Sequence, residues 1–112
     1  MAKHLLVVMT NPVSKEREAE FNQWYNNQHV PDVLKLPGFV AATRYVAPAT
    51  GAPPPTWKYL AVYEVEADDP AKVMATLGEA AGDPTKMRMS DTLDPSGFYM
   101  SLYTPMGQRV AK

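Results

Sequence analysis

The hydrophobic residues of this chain fall into six short segments, and the order of their periodicities restricts the possible folds most. Four segments read as strands because they are rich in branched and aromatic residues and bounded by turn residues; they span 3–10, 39–46, 57–66 and 98–104. Two segments place apolar residues at spacings of three and four, as helices on a sheet do; they span 14–29, with a short further turn to 36, and 70–82. The order is strand, helix, strand, strand, helix, strand.

Right-handed crossovers fold this order into one compact arrangement. We expect an α+β, ferredoxin-like βαββαβ protomer with a four-stranded antiparallel sheet and both helices on one face. No repeat or linker interrupts the pattern, so residues 1–112 form a single domain, and 112 residues are enough for one hydrophobic core.

The sheet face without helices is predicted to be apolar. In the third strand Tyr59 and Tyr63 share one side while Leu60 and Val62 share the other, so neither side is a wetted face. In the second strand simple alternation places Phe39, Ala41, Thr43 and Tyr45 on one side. An uncovered face of this kind is an exposed hydrophobic patch, which two copies packed sheet to sheet would cover. We predict a homodimer; the alternative is an ordinary one-sided core.

Charge and composition exclude several classes of function. The net charge of −1 gives no basic field for nucleic acid, and the absence of cysteine excludes thiolate, disulfide and zinc-finger chemistry. The longest apolar stretch, residues 5–9, is too short for a membrane span, and the first residues do not resemble a signal peptide, so we expect a cytoplasmic protein. There is no glycine-rich phosphate loop and only one His-x-x-Asp pair, so we expect no cofactor and no metal.

His29 is the first candidate for chemistry. It follows Tyr25 by one helical turn and Phe21 by two, on the buried stripe, and Pro31 should bend or stop the helix beside it. A nearby carboxylate, Asp32, would orient the imidazole and raise its pKa, as would the carbonyls of a helix end. The alternative is a histidine that only caps the helix.

Arg44 and the tyrosines are the other candidates. A guanidinium in an apolar strand needs a carboxylate partner, for which Glu64 is available, or an anionic ligand. Each tyrosine alone is an ordinary core residue, but together they could wall a pocket for a flat organic ligand.

Residues 20–45, EFNQWYNNQHVPDVLKLPGFVAATRY, resemble the dimeric α/β-barrel superfamily, particularly its EthD-like branch. In many such proteins a helix bearing F-x-x-W/Y-Y-x-x-x-H-x-P is followed by a leucine-rich turn, P-G-F/L and a strand. The matching residues are Phe21, Trp24, Tyr25, His29, Pro31, Leu36, Pro37, Gly38 and Phe39.

This resemblance implies a ferredoxin-like protomer whose sheet closes into a barrel with that of a second copy. Members include muconolactone-type isomerases, polyketide cyclases and dehydratases, cofactor-free monooxygenases and haem-degrading enzymes. The histidine proposed as catalytic in the isomerase-like relatives corresponds to His29, whereas their cysteine has no counterpart here. The haem degraders use a histidine of the second helix, which residues 70–82 lack.

The resulting hypothesis is a cofactor-independent enzyme that isomerises, cyclises or dehydrates a small aromatic or cyclic molecule. His29 would be the general base or acid, oriented by Asp32, and Arg44 would anchor a substrate carboxylate or enolate. Tyr25 and Tyr63 would donate to a developing oxyanion. The residues predicted to bind the substrate are Phe21, Trp24, Tyr45, Tyr59 and Tyr99. The alternatives are a non-catalytic protein that binds a hydrophobic metabolite and a cofactor-free monooxygenase.

Overall fold

The computed structural model describes residues 2–112 and has the predicted α+β architecture, with helices packed on one face of a four-stranded antiparallel sheet. The strand order is β2-β3-β1-β4, as in a ferredoxin-like fold. The elements in chain order are β1 (Lys3–Thr10), α1 (Glu18–Trp24), a π-helical turn (Tyr25–His29), α2 (Val30–Leu34), β2 (Phe39–Val46), β3 (Tyr59–Glu66), α3 (Pro70–Ala81) and β4 (Tyr99–Tyr103).

The first helical segment continues through Pro31, where the sequence predicted a bend or a stop. Pro31 has no N–H for the carbonyl of Asn27, and its ring would collide with that carbonyl in a regular α-helix. The π-helical turn removes the conflict, because the N–H of Val30 donates five residues back, to the carbonyl of Tyr25. His29 therefore closes a widened turn inside a continuous helix. Isolated π turns of this kind are frequent at functional sites.

The ends of other elements follow local chemistry. The carboxylate of Asp69 accepts hydrogen bonds from the N–H groups of Ala71 and Lys72 at 3.1 and 3.4 Å. Asp69 thus caps α3, which begins at Pro70. Gly38 has φ +89°, and the N–H of Phe39 donates to the carbonyl of Leu36 at 3.2 Å, as a type II turn requires. β3 begins at Tyr59 rather than at residue 57, and β4 ends at Tyr103.

A bulge at the start of β2 corrects the predicted alternation of that strand. The register shifts between Phe39 and Ala41, so Phe39 is buried beneath the helices together with Ala42, whose cross-strand partner is Tyr63. Arg44 then also lies on the helix side, and Tyr45 lies on the opposite side of the sheet. A single extra residue has reversed the phase of the strand.

The core lies between the helices and the sheet. Its largest fully buried side chains are Tyr25, Tyr63, Phe21, Leu6, Val33 and Val65. His4 also points into this layer from β1, with Nδ1 at 2.8 Å from the hydroxyl of Thr104 and Nε2 at 2.9 Å from the carbonyl of Ala67. Both ring nitrogens of His4 are thus used in holding the sheet together.

The opposite face of the sheet, here called the open face, is partly apolar. Residues of all four strands form it: Leu5, Val7, Met9, Ala41, Thr43, Tyr45, Leu60, Val62, Glu64, Tyr99, Ser101 and Tyr103. Leu5, Tyr45 and Tyr103 are 42%, 53% and 48% exposed. No helix within residues 2–112 is both long and apolar enough to cross a lipid bilayer.

Candidate active site

An apolar cavity of about 160 Å³ lies between the helices and the sheet. It reaches the surface beside Met89, Phe98 and Met100, whose side chains are all exposed. The residues that line it are Leu6, Val8, Thr10, Trp24, Tyr25, His29, Val33, Tyr63, Leu77, Gly78, Ala81, Met87, Met89, Leu93, Phe98 and Met100. This volume resembles that of a dry cavity of about 150 Å³ that admits a benzene ring in another protein.

Three buried polar atoms of the lining have no hydrogen-bond partner among residues 2–112. They are the hydroxyls of Tyr25 and Tyr63 and Nδ1 of His29, and we call these three residues the cavity cluster. A buried polar atom ordinarily has a hydrogen-bond partner, because leaving it unpaired costs roughly 1–3 kcal/mol. Their common position on one apolar cavity makes this cavity the candidate site, because each unpaired buried polar group needs an explanation.

His29 is held in place by its aromatic neighbours. Its ring stacks on Trp24 with centroids 4.8 Å apart and planes 27° apart, and it meets the edge of Tyr25 at 4.8 Å. Burial lowers the pKa of His29 to about 4; the charge of Asp32 opposes this shift and that of Arg44 adds to it. The predicted rise in the pKa of His29 is therefore wrong. The imidazole is neutral near pH 7, so one of its nitrogens is free to accept a proton.

The two phenols of the cavity cluster remain protonated. Burial raises the pKa of Tyr25 and that of Tyr63 above their ordinary value, and each phenol lies close enough to perturb the other. Charge on Arg44 opposes both shifts. Two neutral O–H groups therefore face the cavity as donors, which suits the oxygen of a bound carbonyl or enolate.

Asp32 does not orient His29, contrary to the prediction. Its carboxylate accepts the backbone N–H of Arg88 at 3.0 Å and the guanidinium of Arg88 at 3.2 and 2.9 Å. These bonds hold the pKa of Asp32 below its usual value. Since Trp24 Nε1 also donates to the carbonyl of Arg88 at 2.8 Å, Asp32 and Trp24 together fix the segment whose Met87 and Met89 line the cavity.

Arg44 also has partners other than those expected. Its guanidinium donates to the side-chain oxygens of Asn26 and Asn22, each at 2.9 Å, and its centre lies 4.2 Å from the ring centroid of Tyr25. The expected ion pair with Glu64 is absent from the described residues, because Glu64 pairs across the sheet with Ala41 and lies on the open face. Arg44 is not among the residues that line the cavity, so the predicted role as an anchor that contacts the substrate is not supported.

The five aromatic residues predicted to bind substrate occupy different places. Trp24 lines the cavity, whereas Phe21 is buried behind Tyr25 with ring centroids 5.6 Å apart. Tyr59 bonds to Glu18 and Asn22 outside the cavity. Tyr45 and Tyr99 lie on the open face, and their assignment to the same pocket is wrong.

One wall of the cavity was not predicted from the sequence. This wall combines Leu77 and Gly78 of α3 with Met87, Met89, Leu93 and Phe98 from the irregular segment that follows. The segment has no periodicity to read, but its two methionines and one phenylalanine among turn residues were a usable signal for apolar packing. Within residues 2–112, no group of three or more His, Cys, Asp or Glu side chains could hold a metal ion.

Comparisons with known proteins agree on the fold. No protein-family model matches the chain, and no curated protein matches it by sequence. An EthD family protein from Bacillus halodurans superposes with a TM-score of 0.60 at 18% identity, covering 95% of this chain and 100% of its own.

Two further solved structures match at similar levels. A candidate monooxygenase from Shewanella loihica gives a TM-score of 0.59 at 16% identity, covering 96% of this chain and 97% of its own. An EthD-like protein from Ralstonia eutropha gives 0.53 at 16%, covering 97% of both chains. The chain therefore has the EthD-like, ferredoxin-like fold, as the motif around His29 predicted.

Proposed function

We propose that the protein is a cofactor-independent acid–base enzyme that acts on a small aromatic or cyclic molecule. The observation that carries the proposal is the cavity cluster: one neutral imidazole and two protonated phenols on one apolar cavity, each with a buried polar atom that has no partner among the described residues. A base combined with donors to a developing oxyanion is able to promote isomerisation, cyclisation or dehydration beside a carbonyl group.

In this mechanism His29 removes a proton from the carbon beside a carbonyl group. In the tautomer that carries its proton on Nε2, Nδ1 accepts that proton while the electron pair moves to the carbonyl oxygen. Tyr25 and Tyr63 donate to this oxygen as it becomes an enolate. His29 then returns the proton to another atom of the substrate, or donates it to a hydroxyl group that leaves as water. A positioned base typically contributes roughly 10²- to 10⁴-fold to the rate.

Arg44 supports this step without contact. Its positive charge, 4.2 Å from the Tyr25 ring, opposes the effect of burial on the pKa of Tyr25 and so makes that phenol a stronger donor. Asp32 holds the wall segment at Arg88 instead of the imidazole. Both are positioning residues in this scheme.

Two other functions have support of their own. The unpartnered polar atoms would equally suit a protein that only binds a hydrophobic metabolite. The likeness to a candidate monooxygenase favours a cofactor-free oxygenase, in which the same base would prepare a carbanion for O₂. Consumption of O₂ in proportion to product would separate this second candidate from proton transfer alone.

We also propose that the enzyme is a homodimer of the cytoplasm whose partners, besides the substrate, include neither nucleic acid nor membrane. The exposed Leu5, Tyr45 and Tyr103 of the open face support the dimer, because their burial against a second copy would remove apolar surface from water. Light scattering should give twice 12.4 kDa, and Leu5→Lys should shift the mass toward the monomer.

The test of the proposed chemistry is deuterium exchange into 2-indanone, a compact ketone with acidic protons beside its carbonyl group. In D₂O the wild-type protein should accelerate the loss of those proton signals above the buffer rate, and His29→Gln should reduce the acceleration by roughly 10²-fold. Tyr45→Phe, a matched change on the open face, should retain it. If the ketone binds without accelerated exchange, or if His29→Gln exchanges as fast as the wild type, the proposal is wrong.

A further inference from the structure

We infer that the cavity selects uncharged ring compounds that carry one hydrogen-bond-accepting oxygen, and that it rejects carboxylates. The inference deepens the proposed function, since it names the substrate class for the same site, but it concerns binding and not turnover. It also reverses the expectation that Arg44 anchors a substrate carboxylate.

The cavity lining offers no charge to a ligand. None of the lining residues in the described part of the chain has a charged side chain at neutral pH, and His29 is held neutral by burial. Two ionic groups lie outside the lining: Asp32 is bound by Arg88, and Arg44 donates to the amides of Asn22 and Asn26, although its Nε has no partner among residues 2–112. A ligand carboxylate would lose its hydration without gaining an ion pair, which is strongly unfavourable.

The polar atoms of the cavity call for an acceptor. The hydroxyls of Tyr25 and Tyr63 are single donors, and the pKa of each is affected by the other, so they lie close together. A carbonyl oxygen has two lone pairs and is able to accept both O–H groups at once. A hydrocarbon of the same shape offers no acceptor. Two phenols that have only each other as a partner then leave at least one buried O–H unpaired, which makes the hydrocarbon the weaker ligand.

The size and shape of the cavity limit the ring system. About 160 Å³ is enough for one ring or for a compact fused pair, and the flat faces of Trp24 and His29 are stacked along one wall. Methionine side chains elsewhere in the lining adapt to differences in the outline of the ligand. Larger polycyclic compounds would have to extend past Met89 and Phe98 into solvent.

Gly78 offers a way to close the cavity without disturbing the core. It lies on α3 within the lining, and a Cβ added there would meet no atom within 4 Å. Gly78 is itself exposed, so Gly78→Leu adds a side chain at the mouth of the cavity, where we expect it to block entry and abolish ligand binding. Ala75→Leu, a matched change at an exposed position of α3 outside the lining, should bind as well as the wild type.

The experiment compares three ligands built on one ring system by calorimetry at pH 7: 2-indanone, indane and indane-2-carboxylate. We expect 2-indanone to bind at least about tenfold more tightly than indane, since it satisfies two buried donors, and the carboxylate to bind at least about tenfold more weakly than the ketone. In the double variant with Tyr25→Phe and Tyr63→Phe, the preference for ketone over indane should disappear while indane binds at least as well as before.

The possible outcomes separate this inference from the proposed function. Equal or tighter binding of the carboxylate, or a ketone preference that survives in the double variant, would overturn the inference whatever the exchange assay shows. Selective ketone binding that Gly78→Leu abolishes would support it, even if no deuterium exchange is seen and the proposed catalysis fails.

Discussion

Two neighbouring regions under the helices differ in whether a tyrosine hydroxyl has hydrogen-bond partners. Tyr59 and Tyr63 both project from β3 toward the first helical segment. Tyr59 is bonded to Glu18 and accepts a hydrogen bond from Asn22 at 3.1 Å, whereas no group in residues 2–112 bonds to the hydroxyl of Tyr63. We call the first group, Glu18, Asn22 and Tyr59, the paired cluster.

The comparison shows that this fold is able to satisfy a buried tyrosine when it uses one for structure. The paired cluster draws its partners from α1, where Glu18 and Asn22 lie about one helical turn apart. Polar groups left unpaired in a protein typically mark sites where stability is given up for function. The difference between the two clusters should therefore appear in the free energy of unfolding of variants in each.

The largest expected effect concerns the neutral His29 of the cavity cluster. The unfolded chain takes up a proton on this residue near pH 6.5, while the folded protein resists protonation until about pH 4. Between these values the unfolded state binds more protons, so acid lowers the free energy of unfolding. From pH 7 to pH 5 the wild type should lose about 2 kcal/mol more than His29→Gln.

Urea unfolding at both pH values, at one protein concentration, measures this difference. An equal loss of stability in the wild type and in His29→Gln would mean that folding does not lower the pKa of the imidazole. His29 would then not differ from an ordinary histidine, and the contrast between the two clusters would fail.

The second prediction tests whether Asp32 belongs with the paired groups or with the cavity. Asp32→Asn removes the charge and one acceptor from three bonds to Arg88, so the free energy of unfolding should fall by about 1–2 kcal/mol, limited by the half-exposed guanidinium. Deuterium exchange into 2-indanone should stay within a few-fold of the wild type.

Arg88→Gln is the matched control, because it breaks the same ion pair and leaves the Asp32 carboxylate in place. It should be as destabilising as Asp32→Asn and equally able to catalyse exchange. A large loss of exchange in Asp32→Asn alone would show that the carboxylate acts on the imidazole after all.

The sequence predicted the fold well, because the fold depends on periodicity. Alternating strands, a capped helix at Asp69 and the turn at Gly38 are encoded locally, and their order admits few topologies. The motif around His29 likewise predicted an irregular turn of the helix there, since proline and aromatic residues at fixed spacings define that turn.

Contacts between distant segments could not be predicted in this way. Asp32 lies three residues from His29 in sequence, yet its carboxylate is bound by Arg88, which is 56 residues away. One bulge after Phe39 reversed the phase of β2 and placed Tyr45 on the open face and Arg44 beneath the helices. No periodic pattern in the sequence predicts either the bulge or the path of residues 87–98 along the cavity.

The smallest expected effect is the sharpest, because the same substitution should change sign between the two clusters. Tyr59→Phe deprives Glu18 and Asn22 of a partner and should lower the free energy of unfolding by about 1 kcal/mol. Tyr63→Phe removes a buried hydroxyl that has no partner in the described chain, so stability should be unchanged or rise by up to about 1 kcal/mol. Urea unfolding of both variants measures the two changes, and 2-indanone affinity should fall only in Tyr63→Phe. A destabilised Tyr63→Phe with unaltered affinity would mean that its hydroxyl serves the fold, and the cavity cluster would then be no different from the paired one.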